Sequence, residues 1–138
     1  MQLNYVAIIV ATILQFAFGA VWYSALFGKL WGKIHGFDKL SKEVQEKMMK
    51  EMGPFYGLQA LVTLVTTVVM AIFIANQPEW NAFAMAGFFW LGFVLPTQVS
   101  AVIFSNTPKE WMLKKVAVQS GAAFFCYEIA ATVLHFMR

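Results

Sequence analysis

Apolar positions along this chain are pooled rather than alternated with polar ones. Four long runs, at about residues 3–27, 55–75, 82–104 and 116–136, are almost free of charge. Each reaches the roughly 20 residues with which an α-helix crosses a ~30 Å hydrocarbon core. Lipid offers no partners for free backbone groups, so such runs are expected to be helical. The pattern predicts an all-α polytopic membrane protein: a single domain over residues 1–138 containing four transmembrane helices in a bundle. The first run has no basic segment before it, and no clean A-x-A site follows it, so it reads as a retained span rather than a cleaved signal.

The connections are uneven. Asn76-Gln77-Pro78-Glu79-Trp80-Asn81 forms a tight turn, which makes spans 2 and 3 antiparallel neighbours. Pro96 predicts a bend in span 3, and Ser105-Asn106-Thr107-Pro108 ends that span. Trp111, Lys114 and Lys115 then anchor the approach to span 4 at the interface. Between spans 1 and 2, about residues 41–52 read as a short amphipathic helix. Leu40, Val44, Met48 and Met52 recur every four residues on one face, with lysines and glutamates elsewhere. Such a helix is expected to lie flat on the headgroups or against the bundle until Gly53-Pro54 breaks it.

Charge sets an orientation. Lys29, Lys33, Lys39, Lys42, Lys47 and Lys50 lie between spans 1 and 2, Lys109, Lys114 and Lys115 between spans 3 and 4, and Arg138 ends the sequence. The positive-inside rule therefore predicts that loops 28–53 and 105–115 are cytoplasmic and both termini outside, in the cell (inner) membrane. Only 12% of residues are charged and 60% are hydrophobic, against roughly 25% charge in soluble domains. The net charge of +3 comes from the lysine loops and points to membrane lipids as partners, not nucleic acid, since no basic stripe with interleaved aromatics is present.

Candidate chemistry is sparse. Cys126 is the lone cysteine and lies inside a span, so it reads as an inert buried thiol. There is no His/Asp/Glu metal cluster, Ser-His-Asp or Cys-His arrangement, or glycine-rich phosphate loop. No catalytic residue, metal or cofactor is therefore expected, and enzymatic activity is not indicated. His35 reads as a solvated loop histidine.

Polar residues inside the spans fall into two depth layers. At ~1.5 Å per residue, Tyr23, Gln59, Gln98 and Gln119 lie roughly 5–9 Å from the loop ends of their helices, one from each span. Interhelical hydrogen bonding is the common use of such residues. Gln15, the Thr66/Thr67 pair and Glu128 lie about 18 Å in, opposite Gly92 of span 3. Glu128 is the one carboxylate well inside a span, which by itself makes it a candidate for function. The apolar setting favours its neutral form, with Gln15 the expected hydrogen-bond partner at matching depth. His135, seven residues on, shares its helical face about 10 Å further out. Gln119 and Glu128 are half a turn out of phase, so they cannot both face the interior of one four-helix bundle. That favours a homo-oligomer. Ala7, Ala11, Gln15 and Gly19 on span 1, and Ala117 with Gly121 on span 4, form small-residue ladders for close packing.

Two motifs carry a resemblance. Trp22-Tyr23-Ser24 followed by Phe27-Gly28-Lys29 and Trp31 closes span 1, and Gly87-Phe88-Phe89-Trp90-Leu91-Gly92-Phe93 opens span 3. Together with the span order and the long first loop, these resemble the small, mostly bacterial membrane proteins grouped as domain of unknown function 1761. Those proteins often carry proline after the serine, where this chain has Ala25, and a charged turn after span 3, where it has Ser105-Asn106-Thr107. The resemblance implies a four-helix membrane fold and supplies no activity. Independently of it, Trp22 and Tyr23 read as an interfacial aromatic belt and Gly28 as a helix terminator. The expected function is a small oligomeric transporter or channel whose substrate is unknown. The alternatives are a structural or regulatory membrane protein and a binder of a lipid or lipophilic cofactor.

Overall fold

The computed structural model describes residues 2–138, and the described residues form helices and turns without a strand. Four helical stretches are long and apolar enough to cross a membrane: Tyr5–Leu26, Gly53–Asn76, Ala82–Ile103 and Lys109–Phe136, spans 1 to 4. The protein is thus an all-α chain built for a membrane. Both chain ends lie at one end of the bundle, where Asn4 joins them. Its Oδ1 accepts from the Ala7 N–H to cap span 1, and its Nδ2 donates to the Met137 carbonyl at the close of span 4.

Span 1 consists of α1 (Tyr5–Val21) and a π-helical turn over Trp22–Leu26. Phe27, at φ −119° and ψ 11°, breaks it. Gly28 does not terminate a helix as expected; it opens α2 (Gly28–Ile34). Glycine is required there for a different reason. A Cβ would sit 3.1 Å from the Tyr23 carbonyl oxygen, because the wide π turn brings that backbone group close. Gly36 then takes φ +70°, a left-handed conformation suited to glycine, to turn the chain out of α2.

The predicted amphipathic helix is α3 (Lys42–Glu51), capped by Ser41, whose Oγ accepts from the Val44 N–H. Leu40, Val44, Met48 and Met52 are all exposed, so this stripe is not covered by the bundle. After Met52 the chain enters α4 (Gly53–Asn76), with Pro54 in its first turn, where a missing N–H costs nothing. Asn81 caps α5 (Ala82–Phe89) through bonds from the Phe83 and Ala84 N–H groups.

Span 3 departs from regular α-helix just before Pro96. A π turn over Trp90–Val94 separates α5 from α6 (Leu95–Ile103). Proline lacks an N–H and its ring crowds the carbonyl four residues back, so the wider turn just before it relieves both problems. Span 4, α7 (Lys109–Phe136), starts seven residues earlier than hydropathy suggests. Lys115 Nζ donates to Thr107 Oγ1 at 3.1 Å, and Thr107 and Ser105 hydroxyls meet at 2.7 Å, fixing the corner between spans 3 and 4.

The four spans are not a symmetric ring. Span 4 lies between span 1 and span 3 and packs extensively on both, while span 2 packs mainly on span 1. Small residues permit the close approach: Ala7 and Ala11 of span 1, Ala71 of span 2, Ala86 of span 3 and Ala130 and Ala131 of span 4 are all buried. Of the expected ladders, Gly19 is only half-buried and Ala117 is exposed. The core cluster lies towards the end that holds the termini. Towards the loop end span 2 separates from the bundle, and residues 53–59 are exposed.

What ties span 2 to span 1 is a buried polar relay. Gln15 is 3% exposed and donates to Thr67 Oγ1 at 2.7 Å and to the Ala11 carbonyl at 3.1 Å. Thr67, at 0% exposure, passes its own proton to the Thr63 carbonyl at 2.8 Å. Each donor in the relay finds an acceptor within the protein, as hydrocarbon requires. Replacing Thr67 with Val is expected to destabilise the protein by about 1 kcal/mol in detergent melting experiments, the scale of a single interhelical bond. Thr66→Val removes only a bond to the Val62 carbonyl of its own helix and is expected to be near neutral. Equal shifts for the two variants would contradict the relay.

Candidate functional site

The polar side chains expected in one inner layer are not brought together. Gln59 is exposed on the diverging part of span 2, and its Nε2 reaches only Thr63 Oγ1 of the same helix at 3.4 Å. Gln98 is half-buried. Gln119 has its Oε1 buried without a hydrogen-bond partner. Tyr23 packs edge-on against Trp31 at 4.9 Å between ring centres. Among the described residues no hydrogen bond crosses between helices within this set, so the expected interhelical bonding at that level is corrected. The cause is the departure of span 2, which takes Gln59 away from the other three.

Indole groups supply the cross-links instead. Trp22 Nε1 donates to the Val118 carbonyl at 3.0 Å, and Trp90 Nε1 donates to the Ser120 carbonyl at 2.7 Å. The two carbonyls flank Gln119 on span 4. Each tryptophan is the first residue of a π turn, one in span 1 and one in span 3. Trp22 is therefore half-buried against span 4 rather than a free member of an interfacial belt. Its ring lies 4.5 Å from Phe27, 5.6 Å from Phe18 and 5.7 Å from Phe125, and Trp90 meets Phe124 at 5.2 Å. Gly121 makes room beneath it: a Cβ there would stand 3.2 Å from Trp22 Cζ2.

The deeper layer divides between two faces of span 4. On the span 1 side, Gln15 is committed to Thr67, and Cys126 Sγ approaches the Gln15 carbonyl at 3.7 Å. Thr66 turns back onto its own helix. Glu128 lies on the other side, against span 3, and does not bond Gln15 as expected. Its Oε1 is 3.8 Å from the position a Cβ on Gly87 would take, so Gly87 rather than Gly92 leaves the room. Among the described residues the Glu128 carboxyl has neither a hydrogen bond nor an ion pair from a neighbour. His135 is exposed, with its ring 5.9 Å from Phe83.

These contacts define an antiparallel seam between spans 3 and 4. Phe83 meets His135, Gly87 meets Glu128, and Trp90 meets Phe124 in order along it. A single half-buried carboxyl in such a seam can hold a proton or one cation. It has no nucleophile, second acid or base beside it, and no group of three metal-binding side chains occurs among the described residues. His35 lies apart, exposed at the end of α2, with Nδ1 3.0 Å from the Trp31 carbonyl.

A family model described as "Protein of unknown function (DUF1761)" matches residues 6–135, nearly the whole chain. The chain belongs to the DUF1761 family. No curated protein and no solved structure matches it. The two motifs that carry the DUF1761 resemblance contain Trp22, Gly87 and Trp90, the residues that grip span 4 or face its carboxyl. That signal was present in the sequence, although the partners of the indoles, two backbone carbonyls, left no trace in residue type. In this DUF1761 chain, Gly121→Leu is expected to lower the melting temperature by the equivalent of about 1–3 kcal/mol, the usual scale of overpacking. Trp22→Ala in the same background should remove most of that additional penalty in a double-mutant cycle. A penalty independent of residue 22 would show that the contact does not govern this packing.

Proposed function

We propose that the chain is a subunit of a small homo-oligomeric transporter or channel of the cell (inner) membrane, with Glu128 on its route. The lysine-bearing loops 28–53 and 105–115 face the cytoplasm in this reading and both termini face outside, as the charge bias supports. The observation that carries the proposal is the Glu128 carboxyl, midway along the apolar part of span 4 and without a hydrogen-bond or ion-pair partner among the described residues. An ionisable group at a helix centre costs about 2.5–3.5 kcal/mol on insertion scales. Gln15 and Thr67 show how this fold satisfies polar groups that serve packing alone. Glu128 is left to exchange its proton with something from outside the chain. The half-turn offset from Gln119 does not itself call for a second copy, since span 4 is flanked on both sides and Gln119 and Glu128 are each half-buried within one chain.

A second reading, a structural or regulatory role, is supported by α3. Its exposed stripe of Leu40, Val44, Met48 and Met52 offers a docking face, and its three lysines are balanced by three glutamates. Loss of a binding partner on deletion of residues 41–52 would favour it.

The test is proton flux into vesicles reconstituted with the purified protein, run alongside native mass spectrometry from lipid nanodiscs. Wild-type protein is expected to be a defined oligomer and to pass protons under an imposed membrane potential. Glu128→Gln should keep the oligomer and lose the flux, and Glu128→Leu should impair folding or flux. A Leu variant normal in both respects, or a bare wild-type monomer, would refute the proposal.

A further inference from the structure

We propose that the seam between spans 3 and 4 at Glu128 is a binding site for one lipophilic organic cation, which takes the place of the carboxyl proton. The inference rests on the transport reading above and names the class of substrate. Three features of the seam point the same way.

The first is the carboxyl itself. It is half-buried and has no hydrogen bond or ion pair among the described residues, so a cation arriving there displaces no internal partner. The second is the surface opposite. Gly87 has no side chain and its Cβ position is 3.8 Å from Oε1, an ordinary contact distance, so the carboxyl lies against bare helix and a cation reaches it from the half-exposed side of the seam. The third is the character of the walls. Phe83 lies four residues before Gly87 and Trp90 three after it, so both share its helical face; Phe124 stands four residues before Glu128. Aromatic faces attract cations, most strongly where water is scarce.

The same features exclude other ligands. A metal ion must exchange its hydration shell for several protein ligands, and no group of three His, Cys, Asp or Glu side chains occurs among the described residues. An anion would meet a carboxyl without a compensating base, since the lysines lie outside the apolar part of the spans. An organic cation with delocalised charge is weakly hydrated and needs one counter-charge and apolar walls.

The step balances one for one. Glu128–CO2H and the cation give a carboxylate–cation pair and one released proton; the O–H bond is the only covalent bond that breaks. Span 3 carries no ionisable side chain. The other ionisable groups of span 4 near this level are Tyr127 and Cys126, with His135 two turns on; Cys126 is directed to span 1. Spans 1 and 2 contribute only Tyr5, Tyr23 and Tyr56.

The probe is tetraphenylphosphonium, titrated into the intact protein in nanodiscs and in weakly buffered detergent. Wild type is expected to bind it and to release close to one proton per cation. Glu128→Gln should bind roughly tenfold or more weakly and release none, whereas Glu128→Asp should retain binding. Gly87→Leu, whose side chain would crowd the carboxyl, should weaken binding while the oligomer seen by native mass spectrometry persists. Equal binding by wild type and Glu128→Gln would overturn the site. Absence of binding to wild type, together with proton flux that still depends on Glu128, would overturn the cation site and leave the transport reading standing. Absence of both would remove both.

Discussion

Hydrocarbon forms no hydrogen bonds, and that fact governs where this chain can depart from regular helix. It departs twice within a span, at Trp22–Leu26 and at Trp90–Val94. Each departure opens on a tryptophan whose N–H reaches span 4, which runs as a single unbroken α-helix between the two loosened spans. The acceptors, Val118 and Ser120, are two residues apart, about 3 Å along the helix axis. Spans 1 and 3 are therefore keyed to span 4 at one level. Span 2 has no such bond at that level and diverges from the bundle, held further along by Gln15 and Thr67.

The two faces of span 4 differ in how polar groups are treated. Towards spans 1 and 2, amide, hydroxyl and thiol groups form a closed chain from Cys126 through Gln15 and Thr67 to Thr63. Each donor on this side is spent within the protein. Towards span 3, the carboxyl of Glu128 faces a glycine, with aromatic contacts before and after it along the seam. The contrast separates polarity that holds helices together from a carboxyl that no described side chain bonds, and both occur within one 138-residue chain.

The architecture was legible because hydropathy and length are properties of composition. The four spans, the short helix capped by Ser41, the turn at Asn76–Asn81 and the irregularity before Pro96 all come from local chemistry. The side-chain layers were less so. Depth can be counted from a helix end, but direction cannot when the neighbours are unknown. Gln15 and Glu128 lie at similar depth on different sides of span 4, and Gln59 matches Gln119 in depth while its helix leans away. The indole bonds were the hardest to foresee, since their acceptors are backbone carbonyls that every residue possesses. A π turn adds to this, because each extra residue rotates the remainder of the helix relative to a regular 3.6-residue repeat.

Span 4 also extends past the bilayer. Its 28 residues make a rod about 42 Å long against a hydrocarbon core of ~30 Å, and its first turns, from Lys109 to Lys115, precede the apolar stretch. The two indoles hold this rod between its ends. The grip at Val118 and Ser120 lies roughly 15 Å from the lysine-bearing start of the rod and roughly 26 Å from its far end, and the longer arm is held a second time, where Ala130 and Ala131 are fully buried in the core. Clamped at two levels, the rod leaves its lysine-bearing tip to be set by the corner at Ser105 and Thr107, through Lys115.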